Sequence, residues 1–172
     1  MKRIVVTGGC GFIGSNLVKF LLRKKYKVLN IDNLSYSANP YNLKNVNTSK
    51  NYKFVKQNIN DKEKIYKIFK KFKPEGIFNL AAETHVDRSI DDPKNFINTN
   101  IIGVYSLLQA LDRYKKTIKK KIKLVHVSTD EVYGDINFGK KSNEKYPYTP
   151  SSPYAASKAS ADHLIKSFFR TY

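Results

Sequence analysis

A single cysteine, Cys10, means that this 172-residue chain cannot close an internal disulfide. That pattern fits a reducing compartment, and the expectation is a cytoplasmic protein. Cys10 sits in a glycine-rich stretch with no base tied to it, so an inert thiol is favoured over a catalytic one. No run of about 20 apolar residues occurs, so no segment is expected to span a membrane. The basic start Met1-Lys2-Arg3 leads into Ile4-Val5-Val6, and Thr7-Gly8-Gly9 then breaks the run too early for a secretory signal. Histidine is scarce as well. His85, His126 and His163 form no metal-ligand spacing with one another or with an acid, and no metal is expected. His85 reads as a packed loop residue rather than a base, His126 as a core or supporting residue, and His163 as interfacial or exposed. Acids number 14 against 32 lysines and arginines, giving a net charge of +18. Only five of those cations are arginine, the type suited to bidentate phosphate and base contacts. The lysines spread along the whole chain, and the densest run, Lys115 to Lys123, falls where a helix should give way to a strand. A compositional bias towards Lys, Asn and Ile explains the charge, and no nucleic-acid partner is expected.

What the chain does have is alternation. Ile4-Val5-Val6 reads as a buried strand, and Phe12 to about Lys25 as an amphipathic helix. Strands are expected at Val28–Ile31, Tyr52–Val55, Gly76–Leu80 and Ile122–Val127. Asn60 with Glu63 suggests a capping box for a helix to about Phe72, stopped by Pro74. Asp92-Pro93 and Ser152-Pro153 each give a cap-plus-proline signal, predicting helices from Pro93 to about Arg113 and from Pro153 to the end. Alternating strands and helices imply an α/β, doubly wound parallel sheet, with ligands beyond the carboxyl ends of the strands. No internal repeat or domain-dividing linker is visible, so residues 1–172 read as one dinucleotide-binding domain. Residues 135–149 are the longest irregular stretch, read as a flap.

Gly8, Gly11 and Gly14 form G-x-x-G-x-x-G directly between the first strand and first helix. The first allows the tight turn, the second lets backbone approach a pyrophosphate, and the third allows close helix–sheet packing. The helix start, Phe12-Ile13, offers N–H groups to phosphates. Asp32, about 20 residues on at the end of the second strand, can accept from an adenosine ribose and repel a 2′-phosphate, favouring NAD. The alternative is that Asp32 only begins a turn with Asn33.

Tyr154 and Lys158 lie four apart on the final helix, hence on one face. A nearby ammonium lowers a phenol's pKa and makes it a usable base, although two solvated residues would show the same spacing. Ser128-Thr129-Asp130-Glu131 leaves the fifth strand on the ligand side and could supply a donor, an acid and a base, or simply an exposed acidic turn.

At these residues the sequence resembles the extended short-chain dehydrogenases, whose fold is the Rossmann fold. Thr129-Asp130-Glu131 resembles the dTDP-glucose 4,6-dehydratases among them. So do Ala81-Ala82-Glu83-Thr84-His85-Val86-Asp87-Arg88-Ser89-Ile90 and Ser152-Pro153-Tyr154-Ala155-Ala156-Ser157-Lys158. The similarity runs from Met1 to Tyr172. It implies that Tyr154, helped by Lys158, takes the proton of a sugar 4-hydroxyl while hydride is lent to NAD. Glu131 then removes the C5 proton, Asp130 protonates the departing 6-hydroxyl, and the hydride returns to C6. The two acids are treated as a coupled pair in which one carboxylate raises the other's pKa. Thr129 is implied to hydrogen-bond the 4-hydroxyl and Thr84 to touch substrate. Gly8, Gly11, Phe12, Ile13, Gly14, Asp32, Asn33, Leu34, Ser35, Asn58 and Ile59 are implied to line the cofactor. So are Leu80, Ala81, Ala82, Glu83, Thr99, Tyr154 and Lys158.

The resemblance also implies a nucleotide-sugar substrate (dTDP-glucose) and a homodimer pairing the two long helices. Related UDP-sugar 4-epimerases and other nucleotide-sugar dehydratases remain the alternatives, as does a non-catalytic NAD-binding fragment. Three departures stand out. Asn58-Ile59 replaces the usual Asp-Ile near adenine, Cys10 replaces alanine, and Ser151 replaces asparagine. Family members also continue well past the Tyr-Lys helix, so the chain reads as truncated before the substrate-binding domain, with little turnover of its own and a fifth strand left at an edge.

Overall fold

The computed structural model describes residues 2–118 and 120–172. Met1, and Lys119 within the basic run, lie outside the described residues. The chain divides into two compact units, one formed by Met1–Ala81 with Ser106–Val127, the other by Ala82–Tyr105 with Ser128–Tyr172.

The first unit holds a sheet of five parallel strands, β1 (Arg3–Thr7), β2 (Lys27–Asp32), β3 (Tyr52–Lys56), β4 (Gly76–Asn79) and β5 (Lys123–His126), in the order β3-β2-β1-β4-β5. Side chains alternate across each strand. On one face Val5, Leu29, Ile31 and Ile77 pack with Ile65 and Phe69 of helix α2 (Lys62–Phe72) and with Leu107, Ala110 and Tyr114. On the other, Ile4, Val6 and Val28 pack with Val18 and Leu21 of helix α1 (Phe12–Arg23). Both faces are therefore covered by helices, as a doubly wound sheet requires. Phe69 is fully buried, with its ring 5.9 Å from that of Tyr114. Phe69→Ala should cost about 3–5 kcal/mol, read as a lower urea midpoint at unchanged slope.

The second unit is helical. It contains α3 (Val86–Asp91), α4 (Lys94–Phe96), a π-helical stretch Ile97–Gly103 and α6 (Pro153–Thr171). Helix α5 (Val104–Ile118) continues from the π stretch.

Several boundaries differ from expectation. Asp61, not Asn60, caps α2, its carboxylate accepting from the Lys64 N–H at 3.0 Å. Asp92, expected as the cap of the helix after it, instead ends α3; its carboxylate accepts from the Lys94 N–H at 3.0 Å, and Pro93 is the N-cap of α4. The helix expected from Pro93 to Arg113 extends to Ile118 and carries a π-helical insertion. Ser152 caps α6 as expected, accepting from the Ala155 N–H at 3.0 Å.

Candidate active site

In the first unit the glycine turn follows β1. Gly8 has φ +69°, and a Cβ there would meet backbone N of Ala81 at 2.7 Å. Its N–H donates to Ile31 O at 2.9 Å, and the Gly11 N–H donates back to Gly8 O at 3.2 Å, closing the turn. A Cβ on Gly14 would lie 2.1 Å from Gly8 O, so α1 begins directly against the turn. Gly11 caps α1 without a side-chain hydrogen bond, and Phe12 and Ile13 beside it are exposed. The helix start thus presents backbone N–H groups rather than a filled cap.

Asp32 at the end of β2 is 6% exposed. One of its oxygens accepts from the Cys10 N–H at 2.9 Å and the other from the Leu34 N–H at 2.8 Å. It does begin a turn, with Asn33 Oδ1 accepting from the Ser35 N–H at 3.0 Å and Leu34 at φ 59°. It also ties that turn to the glycine loop. Burial, and secondarily the Asp32 charge, push the Cys10 thiol up to about 11, while the Asn30 hydrogen bond pulls the other way. Asn58 spends its side-chain oxygen on the Asn60 N–H at 2.9 Å, and Ile59 is buried in the core, so only its backbone is available to a ligand.

At the ends of β1 and β4 a polar ladder fixes the next ligand-side turn. Thr7 Oγ1 donates to Asn79 Oδ1 at 2.5 Å, and Asn79 Nδ2 meets His126 Nδ1 at 2.9 Å. The Leu80 N–H donates to Thr7 O at 3.1 Å and the Ala81 N–H to Thr7 Oγ1 at 3.3 Å.

The second unit holds Ala82, Glu83, Thr84 and Thr99 together with Thr129, Asp130, Glu131, Tyr154 and Lys158. Asn100, buried in the π-helical stretch, accepts from the Glu83 N–H and donates to Glu83 O, both at 2.9 Å. It also donates to Ser157 Oγ at 2.8 Å, and Ser157 Oγ donates to Tyr154 O at 2.7 Å. Ser89 Oγ accepts from the Tyr154 N–H at 3.1 Å, satisfying a first-turn donor of α6. Glu83 is half-buried, and burial holds its carboxyl above the usual range, offset in part by Arg88. Thr84 is exposed and Thr99 half-buried.

Thr129 caps a 3₁₀ turn over Asp130–Tyr133, its hydroxyl accepting from the Glu131 N–H at 3.3 Å. Asp130 and Glu131 are both exposed. Their charges act on Tyr154, which is 7% exposed. Burial, then Glu131 and Asp130, push this phenol up, while a hydrogen bond with Thr129 lowers it. The phenol therefore lies above its ordinary value, mainly through burial, where the sequence suggested a lowering by Lys158. Lys158 is itself 4% exposed, and burial draws its ammonium down to about 8, with Asp162 pulling it up.

Asn100 and Asp162 escaped the sequence reading, and Ser157 entered it only within a motif, with no role of its own. Their signal was a polar residue on the buried face of a helix, visible only once that face is known. Among the described residues no cluster of His, Cys, Asp or Glu could hold a metal, and no helix is long and apolar enough to cross a membrane.

These shifts set a pH profile. Lys158 titrates near 8 when folded against an ordinary 10.5, so above pH 8 the unfolded chain holds the extra proton and stability rises. Cys10 and Tyr148 are raised, to about 11 and about 12, so the folded chain holds their protons longer and stability falls above their ordinary values of 9.0 and 10.0. Urea midpoints should therefore climb from about pH 8 to 9 and drop above about pH 10. Lys158→Met should remove the climb, and a midpoint already falling from pH 8 in the parent chain would contradict these assignments.

A family model for GDP-mannose 4,6 dehydratase matches residues 5–172. The chain is 44% identical over 178 residues to dTDP-glucose 4,6-dehydratase of Haemophilus influenzae, covering 100% of this chain and 53% of that protein. Among solved structures it resembles dTDP-glucose 4,6-dehydratase of Bacillus anthracis in complex with NAD, at TM-score 0.88 and 41% identity, covering 100% of this chain and 52% of that one. It also resembles UDP-glucose 4-epimerase of Thermus thermophilus in complex with NAD, at TM-score 0.87 and 34% identity, covering 99% and 51%. The chain spans about half the length of the relatives it matches.

Proposed function

The chain belongs to the GDP-mannose 4,6 dehydratase family, and on that footing we propose that it is the cofactor-side part of a dTDP-glucose 4,6-dehydratase. One observation carries the choice within the family. The adjacent Asp130 and Glu131 lie in the same unit as Tyr154, and both charges act on its phenol. An elimination needs an acid and a base in addition to the tyrosine that takes the 4-hydroxyl proton; a 4-epimerisation does not.

The residues of the glycine turn fit NAD. A Cβ on Gly11 would meet only Gly8 O, at 3.4 Å, so the loop has room for a phosphate over an α1 start that no side chain caps. Asp32 would hold the adenosine ribose, and its charge disfavours a 2′-phosphate. Bound NAD would supply a hydride acceptor for C4 and a hydride donor for C6. Tyr154 would take the 4-hydroxyl proton, with Thr129 hydrogen-bonded to that hydroxyl. Glu131 would take the C5 proton and Asp130 would give one to the departing 6-hydroxyl. Lys158, held mainly as ammonium at neutral pH, would stabilise the developing phenolate. Leu80 to Glu83 would border the nicotinamide side and Thr84 the sugar.

The test is a full-length protein containing this chain, assayed with dTDP-glucose for the 4-keto-6-deoxy product. Glu131→Gln should abolish that product while NAD remains bound. Formation of a 4-epimer without keto product would favour the second reading, which the likeness to a UDP-glucose 4-epimerase supports. The 172-residue chain alone should bind NAD weakly and show little turnover. A cytoplasmic homodimer is part of the proposal. Ile97, Ile102 and Tyr105, all at least 40% exposed, and Phe169, 88% exposed, offer apolar surface on the long helices. Sedimentation of the full-length protein as a monomer would remove the dimer.

A further inference from the structure

Asp162 lies one helical turn beyond Lys158 on α6 and is 9% exposed. A carboxylate this buried requires donors or a positive partner. One of its oxygens receives two hydroxyls: Ser128 Oγ at 2.5 Å and Tyr148 Oη at 3.0 Å. Ser128 immediately precedes Thr129, Asp130 and Glu131, so its anchoring point fixes where that turn begins. Tyr148 closes the irregular segment that follows the turn. Its ring meets Tyr133 and His163 edge-on, each at 5.4 Å between centroids, and the Lys166 ammonium lies 4.7 Å over it. Next to it, Thr149 Oγ1 donates to Tyr133 O at 2.6 Å, and the Thr149 N–H donates to Val132 O at 3.0 Å. The two ends of the segment after Glu131 are thus held to each other and to α6.

We propose that Asp162 is a positioning residue. It pins Ser128 and the Tyr148 segment to the catalytic helix and places a buried carboxylate one helical turn from the buried Lys158. This deepens the dehydratase reading and rests on it for the role of Lys158. A carboxylate one turn away on the same helix is the neighbour that offsets the burial of Lys158. Tyr148 and Ser128 face Asp162, Lys166 and His163 flank the Tyr148 ring, and Asp130 and Glu131 act on Tyr154. The tyrosine and the lysine therefore answer to different carboxylates.

The test reads protonation, not turnover. In the chain labelled with ¹³C-lysine and ¹³C-aspartate, the Lys158 side-chain signal is identified by its loss in Lys158→Arg and titrated by NMR. The parent should show a midpoint near 8. Asp162→Asn should lower it by about one pH unit, a tenfold loss of proton affinity, and Asp162→Glu should restore most of it. An unmoved midpoint in a folded Asp162→Asn chain overturns the proposal. A measurement needing no substitution stands beside it. The Asp162 carboxyl signal of the parent should bend a second time at the Lys158 midpoint, and a curve flat through that region also overturns it. Because no substrate is involved, failure of the dehydratase assay and failure of this coupling are separate results.

Discussion

Replacing Gly14 with alanine is expected to destabilise the chain by more than about 3 kcal/mol and to abolish NAD binding. The new Cβ would sit 2.1 Å from Gly8 O and 2.8 Å from the Gly9 Cα. Both are backbone atoms of the same closed turn, so no side-chain rotation relieves the overlap. Relief needs α1 to back away from β1, which would open the Gly11-to-Gly8 hydrogen bond and carry the helix start away from any phosphate. Urea denaturation and NAD titration of the chain read the two effects. An alanine variant within about 1 kcal/mol of the parent, with unchanged affinity, would show that the turn is not the cofactor cradle.

Tyr154→Phe is the second large effect. In a full-length protein kcat should fall by about 10²–10⁴, with KM changed only a few-fold, as for loss of a group acting mainly in the transition state. Fold should be retained, because Tyr154 is held mainly by its ring and backbone, and the substitution gives up the hydroxyl's hydrogen bond with Thr129. The ring packs edge-on against Phe96 at 6.3 Å, and the backbone N–H donates to Ser89 Oγ. Phenylalanine keeps both. Retention of kcat would leave Tyr154 as packing and remove it from the chemistry. The raised phenol also matters here: a base held above its ordinary pKa by burial needs charge nearby to ionise, which makes the ammonium of Lys158 more necessary.

The strands were legible because a parallel sheet covered on both faces is written as short apolar runs, and Ile4-Val5-Val6 and Val28–Ile31 are such runs. The glycine turn was legible because only glycine satisfies its backbone demands, so the spacing itself is the signal. Other features are not carried by local pattern. The π-helical stretch Ile97–Gly103 comes from a single extra residue per turn, which leaves no compositional mark. Helix α3, six residues long, is shorter than any periodic signal can show. Asp61 outcompetes Asn60 as a cap through one residue of register, which a capping-box pattern does not resolve. The shift of Tyr154 was misjudged for a related reason. Spacing shows that a lysine is near, but burial is a property of the packed unit, and burial dominates.

Cys10 turns the glycine loop into its own reporter. The thiol is 1% exposed and ionises only near 11, so a thiol-specific alkylating reagent should find it almost unreactive while the turn is closed. As the chain has no second cysteine, every labelling event marks an opening of this one loop. The rate at which label appears in a mass spectrum then measures how often the loop breathes, and a dinucleotide seated across it should slow that clock in proportion to its occupancy.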